Sequence, residues 1–136
     1  RPDMAPMLFA KAILSGNPIK VFNRGNLSRD FTYIDDIIAN VLSVIDKGPD
    51  AQEPAAIYNI GCGHPVSLTD FINVLETALG KRAYKEMFPM QNGDVYRTYA
   101  DMTRFKETFG SRSVTSLEEG IPKFVAWYMA HKDLVL

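Results

Sequence analysis

Two arginines, one carboxylate and the turns that carry them are the residues in this sequence whose types and spacing suit a ligand. Ser28-Arg29-Asp30-Phe31-Thr32-Tyr33-Ile34-Asp35-Asp36 places Arg29 at the head of a strand-like run, after the turn Asn23-Arg24-Gly25-Asn26. A guanidinium there can give two charge-assisted hydrogen bonds to a phosphate, a fork that lysine lacks. Gln91-Asn92-Gly93-Asp94-Val95-Tyr96-Arg97 sets Asp94 and a second arginine, Arg97, around another glycine turn. Arginines and an acid converging on one pocket suit a diphosphate beside a ribose diol. Taken alone, the same pattern also fits solvated surface arginines, which are the commoner case.

Other chemistry-bearing residues have plainer explanations. Gly61-x-Gly63 resembles a dinucleotide-binding turn, but that fingerprint needs a third glycine where Val66 stands and an acid about twenty residues on, for which Glu86 is a weak candidate. A tight strand-to-helix turn accounts for both glycines. Tyr128-x-x-x-Lys132 has the spacing of a dehydrogenase pair, yet Tyr128 falls on the apolar stripe of a terminal helix, so a packed tyrosine and a solvated lysine are expected. His64, His131 and Cys62 lack the further ligands of a zinc site, and two histidines in such contexts support no Ser-His-Asp arrangement. Asp35-Asp36 and Glu118-Glu119 are paired carboxylates, each explained by the favourable end of a helix dipole.

These residues must be held by elements legible in the pattern. Five helices are expected. The first runs from Met4 to about Ser15, capped by Asp3, ended by Gly16 and buried around most of its circumference. Asp35 is expected to cap a second, with Ile37, Ile38, Val41, Leu42, Val44 and Ile45 at helical spacing before Gly48-Pro49. Ser67 and Asp70 form a capping box for a third, striped by Leu68, Phe71, Ile72, Leu75 and Leu79. A short fourth spans Asp101 to Phe109. Ser116 and Glu119 open a fifth, with Leu117, Ile121, Phe124, Val125 and Tyr128 on one face and Pro122 set to kink it or shorten its first turn. Strand candidates are Ile19 to Phe22, Asp30 to Tyr33, Ala56 to Ile60, Ala83 to Phe88 and Tyr96 to Ala100, with Ile57 to Ile60 an inner parallel strand. Their alternation with helices argues an α/β fold. Gly48 to Pro54 reads as a polar loop, too short for an interdomain linker.

The 136 residues allow one compact domain, with 46% hydrophobic and 23% charged residues as in ordinary soluble proteins. Fifteen basic against sixteen acidic residues give a net charge of -1, which offers nothing to nucleic acid or an anionic membrane. The longest apolar run, Ala5 to Leu14, is too short to span a bilayer and is broken by Lys11. One cysteine and no signal peptide lead to the expectation of a reducing, cytoplasmic setting. The opening Arg1-Pro2-Asp3, without an initiator methionine, reads as a piece of a longer chain.

Several motifs in order carry a family resemblance. Gly16-x-Pro18-Ile19-x-Val21-Phe22, Gly25, Arg29 through Ile37, Tyr58-Asn59-Ile60-Gly61, Gly93-Asp94-Val95, Thr98-Tyr99-Ala100-Asp101 and Leu117-Glu118-Glu119-Gly120-Ile121 through Trp127-Tyr128 resemble the C-terminal half of extended short-chain dehydrogenase/reductases, the NAD-dependent epimerases and dehydratases. The opening Arg1-Pro2-Asp3-Met4-Ala5 is similar to UDP-glucuronate 4-epimerases in particular.

The resemblance implies a single substrate-binding domain over 1–136, with an NAD-binding Rossmann domain preceding it. Its second helix and the Ala56 to Ile60 strand would complete that missing sheet. Lys20, Val21 and Phe22 would offer backbone to the uracil edge, Arg29 would take the diphosphate and Asp94 the ribose. Arg97 matches a second phosphate ligand less well, since relatives with an arginine before the Gly-Asp pair differ here at Met90-Gln91-Asn92. Arg1 would contact the sugar carboxylate of a uronate. The whole enzyme would pass hydride from sugar C4 to NAD, rotate the keto intermediate and return hydride to the other face. The catalytic tyrosine and lysine and the NAD loop belong to the missing half, so this piece would be inactive, with exposed apolar surface for that half or for self-association. Rival readings are a nucleotide-hexose 4,6-dehydratase, a UDP-glucuronate decarboxylase, or a binding or oligomerisation module with no enzymatic role.

Overall fold

The computed structural model describes residues 3–48 and 55–135. Helix α1 (Ala5–Ser15) begins one residue later than its sequence suggests, with Met4 as N-cap, a proline in its first turn, and Gly16 closing it at φ 73°. Phe9, Ala10 and Ile13 are buried while Leu8 is 50% exposed, so the helix buries one face and not most of its circumference.

Strand β1 (Pro18–Val21) alternates exposed and buried residues, sending Ile19 and Val21 into the core. It pairs in parallel with β4 (Tyr84–Met87), Lys20 opposite Glu86 and Val21 opposite Met87. A tight turn at Phe22–Gly25 follows, with Asn23 and Arg24 both at positive φ. The two-residue β2 (Ser28–Arg29) then pairs antiparallel with β3 (Val66–Ser67).

The Asp30 to Tyr33 run does not continue as a strand. Side chains replace the ladder there: the Asp30 N–H donates to Thr98 Oγ1, and Thr32 Oγ1 accepts from the Cys62 N–H. Tyr96 to Ala100 is likewise reduced to one bridge, Arg97 to Ser28. Ile57 to Ile60 forms no strand and leaves Ile57 86% exposed. An inner parallel strand needs a neighbour on each side, and none flanks it among the described residues.

Helix α2 (Ile34–Lys47) is capped by Tyr33, so Asp35 is not the N-cap. Asp35 and Asp36 lie in its first turn, where the dipole favours them. Asp36 also accepts from the Thr115 N–H at 2.7 Å and from its hydroxyl at 2.9 Å, which ties the loop before the last helix to α2. Helix α3 (Leu68–Leu79) carries the expected capping box, Ser67 accepting from the Asp70 N–H at 3.0 Å, and Gly80 closes it. Helix α4 (Thr103–Phe109) begins after Asp101, whose carboxylate accepts from the Thr103 N–H. Helix α5 (Leu117–Val135) runs through Pro122, and its non-helical dihedrals fall at His131 instead.

One core holds the fold together. Phe9 and Ile13 of α1, Ile19 and Val21 of β1, Phe71, Ile72 and Leu75 of α3, and Ile121 and Val125 of α5 meet in it. Phe31 stacks on Phe71 at 4.5 Å between ring centroids, pinning the chain just past β2 to that core. A second aromatic cluster, Tyr58, Phe105 and Phe109, joins the segment before β3 to α4. No helix among the described residues is long and apolar enough to cross a membrane.

Candidate functional site

The fold brings Arg29 and Asp94 together from 65 residues apart. Leu27 is buried on one side of β2 and Phe31 is stacked into the core on the other, so the backbone at Arg29 is fixed from both directions. The Gly93 turn is stitched beside it. Ser28 N–H donates to the Tyr96 carbonyl at 2.9 Å, and Thr98 N–H donates to the Ser28 carbonyl at 3.2 Å. The Asp94 N–H reaches the Gln91 carbonyl, and Gly93 supplies the positive φ of 82° that the turn requires.

Arg29 is held at three points. Its Nη1 donates to the Ser28 and Val95 carbonyls at 2.9 and 2.8 Å, and its Nη2 donates to Asp94 Oδ1. Both side chains remain about a quarter exposed, 27% and 28%, so the pair faces solvent and stays open to a ligand. Asp94 Oδ1 also accepts from the Val95 N–H at 2.9 Å.

The other candidates lie around this pair. Arg97 is bridged to Ser28 by its backbone, while its exposed guanidinium rests over Tyr99, 5.7 Å from the ring centroid. On β1, the Val21 carbonyl accepts from the Phe88 N–H, so residue 21 faces β4. Neighbouring residues in a strand point their backbone groups to opposite edges, which turns the Lys20 N–H and C=O away from β4. That edge offers one donor and one acceptor side by side. The Val21 side chain is buried in the core, Phe22 packs at 5.6 Å from Phe88, and Lys20 Nζ lies over Phe88. No hydrogen bond among the described residues links these three to Arg29. Arg1 lies outside the described residues.

Asp30, the neighbour of Arg29, is a knot that the sequence pattern did not reveal. Its Oδ2 accepts from the Gly63 N–H at 3.0 Å and the Ala100 N–H at 2.9 Å, joining three segments, while its buried Oδ1 has no partner among the described residues. No local signal could have found it, because its partners lie 33 and 70 residues away in the chain. The glycines serve packing: a Cβ on Gly61 would lie 2.5 Å from Ala100 Cβ and 3.1 Å from Asp30 Oδ2. Nothing at this turn fits a dinucleotide phosphate, since its N–H groups are spent on Asp30, Thr32 and Met102.

Burial pushes the nearby Cys62 thiol up from its ordinary value, and the charge of Asp30 adds to the effect, so it stays protonated. Tyr128 is 2% exposed and packs on Phe124, which removes it from any pairing with the exposed Lys132. No group of three His, Cys, Asp or Glu side chains converges at metal distance among the described residues. A concavity of about 900 Å³ lies elsewhere, between the start of α1, residues 31–34 and α5. Met7, Phe31, Tyr33, Ile121, Phe124 and Trp127 help to make it apolar.

Residues 2–61 match the model of the NAD dependent epimerase/dehydratase family. An uncharacterized protein of Methanocaldococcus jannaschii is 44% identical over 136 residues, 100% of this chain and 40% of its own. The UDP-glucuronate 4-epimerase 5 of Arabidopsis thaliana is 41% identical over 142 residues, covering 95% of this chain and 33% of its own. Among solved structures, the UDP-glucuronic acid 4-epimerase of Bacillus cereus in complex with UDP-glucuronic acid and NAD superposes with a TM-score of 0.81 at 31% identity. That match covers 98% of this chain and 41% of the other. The chain thus spans less than half the length of the relatives it matches.

Proposed function

The chain belongs to the NAD dependent epimerase/dehydratase family, and from that premise we propose that residues 1–136 are the UDP-uronate-binding, C-terminal domain of a longer 4-epimerase. The observation that carries the reading is the Arg29–Asp94 pair, a solvent-facing guanidinium and carboxylate fixed side by side by backbone from two distant segments. A diphosphate needs the first and a ribose diol the second.

In this reading the outward edge of Lys20 pairs its N–H and C=O with the uracil edge, flanked by Val21 and Phe22. Arg29 holds the diphosphate, with Arg97 as the second phosphate contact once it leaves Tyr99. Asp94 Oδ2, which has no partner among the described residues, accepts from the ribose hydroxyls. Arg1 takes the sugar carboxylate, which makes the substrate a uronate. NAD, when bound by a preceding Rossmann domain, would supply the hydride acceptor for C4. Residues 61–63 do not fit it, and the described residues here do no more than bind and orient the nucleotide sugar.

The support for a uronate is the likeness to proteins named UDP-glucuronate 4-epimerase. The test is a titration of the protein with UDP and with UDP-glucuronate, followed by amide NMR shifts. Saturable binding with shifts at residues 19–22, 28–30 and 93–98 is expected. Arg29→Ala should weaken it at least tenfold, the scale of a lost charge-assisted pair. Binding unchanged in that variant would place the nucleotide elsewhere and sink the reading.

A further inference from the structure

We propose that Asp94, beyond any contact of its own with the nucleotide, is the positioning residue that aims Arg29 at the diphosphate; this rests on the reading of the site given above. The argument is a count of donors and lone pairs. Arg29 has five N–H groups. Both protons of Nη1 are spent on the Ser28 and Val95 carbonyls, and one proton of Nη2 goes to Asp94 Oδ1. Nε–H and one Nη2 proton are left, two donors on one plane, which suffice for a bidentate grip on a single phosphate.

Backbone carbonyls alone would hold only one end of the plane. The Asp94 contact anchors Nη2, the nitrogen that also faces the ligand and that the two carbonyls on Nη1 leave unheld, and so fixes the ligand-facing edge of the guanidinium. Asp94 is itself fixed, because Oδ1 accepts from the Val95 N–H at 2.9 Å and its backbone N–H is bound in the Gly93 turn. Its two oxygens therefore divide the work: Oδ1 orients the arginine and Oδ2 meets the ribose. A pre-set side chain loses less rotamer freedom on binding than a mobile one.

Electrostatics alone predicts the opposite sign. Removing a carboxylate from beside a phosphate site lessens repulsion and should strengthen anion binding. A ribose-only role predicts a third result, a loss that depends on the diol. Three behaviours are thus separable with UDP and 2′,3′-dideoxy-UDP.

The experiment measures the affinity of the protein for both nucleotides in wild type, Asp94→Ala, Asp94→Asn, Arg29→Ala and the double alanine variant. The NMR signals of the Arg29 guanidinium are followed without ligand. Asp94→Ala is expected to weaken dideoxy-UDP roughly tenfold, and to add little further loss once Arg29 is alanine. It should also collapse the resolved Arg29 signals into an averaged, fast-exchanging one. Asp94→Asn keeps an oxygen for Nη2 and should restore part of both readouts, which a merely unfolded turn would not. Dideoxy-UDP affinity unchanged or improved in Asp94→Ala would overturn the proposal while leaving the nucleotide site in place. Wild-type protein that binds neither nucleotide would overturn the site and this proposal together.

Discussion

Charge is buried at one residue in a way that bears on stability and not on the ligand. Glu76 is 3% exposed on α3, yet it accepts from Arg82 Nη1 and Lys85 Nζ at 2.8 Å and from the Ala83 N–H at 3.1 Å. Burial alone would raise its pKa, but these partners outweigh it and hold the carboxyl at about 2. The knot fastens the end of α3 to the start of β4, and β4 is the partner of β1. Because the folded value lies below the ordinary 4.5, this stabilisation is complete above that value and is lost as pH falls towards 2. At neutral pH it is worth on the order of 3 kcal/mol, an upper figure because Arg82 is largely solvated. Glu76→Gln should therefore lower the unfolding free energy near pH 7 by about 2 kcal/mol. The gap to wild type should close between pH 5 and 2 in urea melts. A gap of constant size over that range would mean that the charge is not what matters at this position.

At the scale of elements, the close approach of the 61–63 turn to residues 98–102 sets how the site is assembled. Asp30 can reach both the Gly63 and Ala100 N–H groups only because Gly61 carries no side chain. Gly61→Ala should force its Cβ against Ala100 and cost about 1–3 kcal/mol, seen as a lower melting temperature with shifted amides at 28–30 and 96–100. An unchanged melt would mean that these segments separate at little cost. The helices were legible in the sequence because their signals are local: the Ser67–Asp70 box, the stripe from Leu68 to Leu79, and Gly16 and Gly80 as stops all act within one or two turns. Strands were legible only where a partner exists, as at Pro18–Val21 and Tyr84–Met87. The runs Asp30 to Tyr33 and Tyr96 to Ala100 have strand composition, but the Thr98 hydroxyl takes the Asp30 N–H and the Asp30 carboxylate takes the Ala100 N–H from the side, which no periodicity shows. The site divides in the same way. Arg29 and Asp94 could be named from the resemblance, whereas their bond to each other, and the anchoring of Arg29 by two carbonyls, exist only once the chain is folded.

On the scale of the whole molecule, α2 is turned inside out. Its polar stripe faces the rest of the chain: Asp36 holds Thr115, Asn40 is buried, Ser43 accepts from Arg112, and Lys47 reaches the Thr108 carbonyl and the Phe109 ring. Its apolar stripe faces out, with Ile34, Ile38, Val41, Leu42 and Ile45 between 39% and 66% exposed. Ile34 carries that stripe into the apolar groove beside α5, and Ile57 is also exposed. So large an exposed apolar area is unusual for a protein standing alone and marks a surface meant to be covered. In the longer protein proposed above, the covering partner would be the preceding domain, whose sheet α2 and residues 56–60 would join. In the chain by itself the same face should pair with a second copy. Ile38→Glu with Leu42→Lys places a favourable ion pair one turn apart on that face while removing two exposed apolar side chains. Sedimentation should then show concentration-dependent association of the wild type and a monomer for the variant, whose melting temperature should match that of dilute, dissociated wild type because neither residue is in the core. A wild type that stays monomeric at every concentration would remove self-association. A variant that unfolds would mean that α2 packs on this chain by its apolar side and that the outward stripe is wrong.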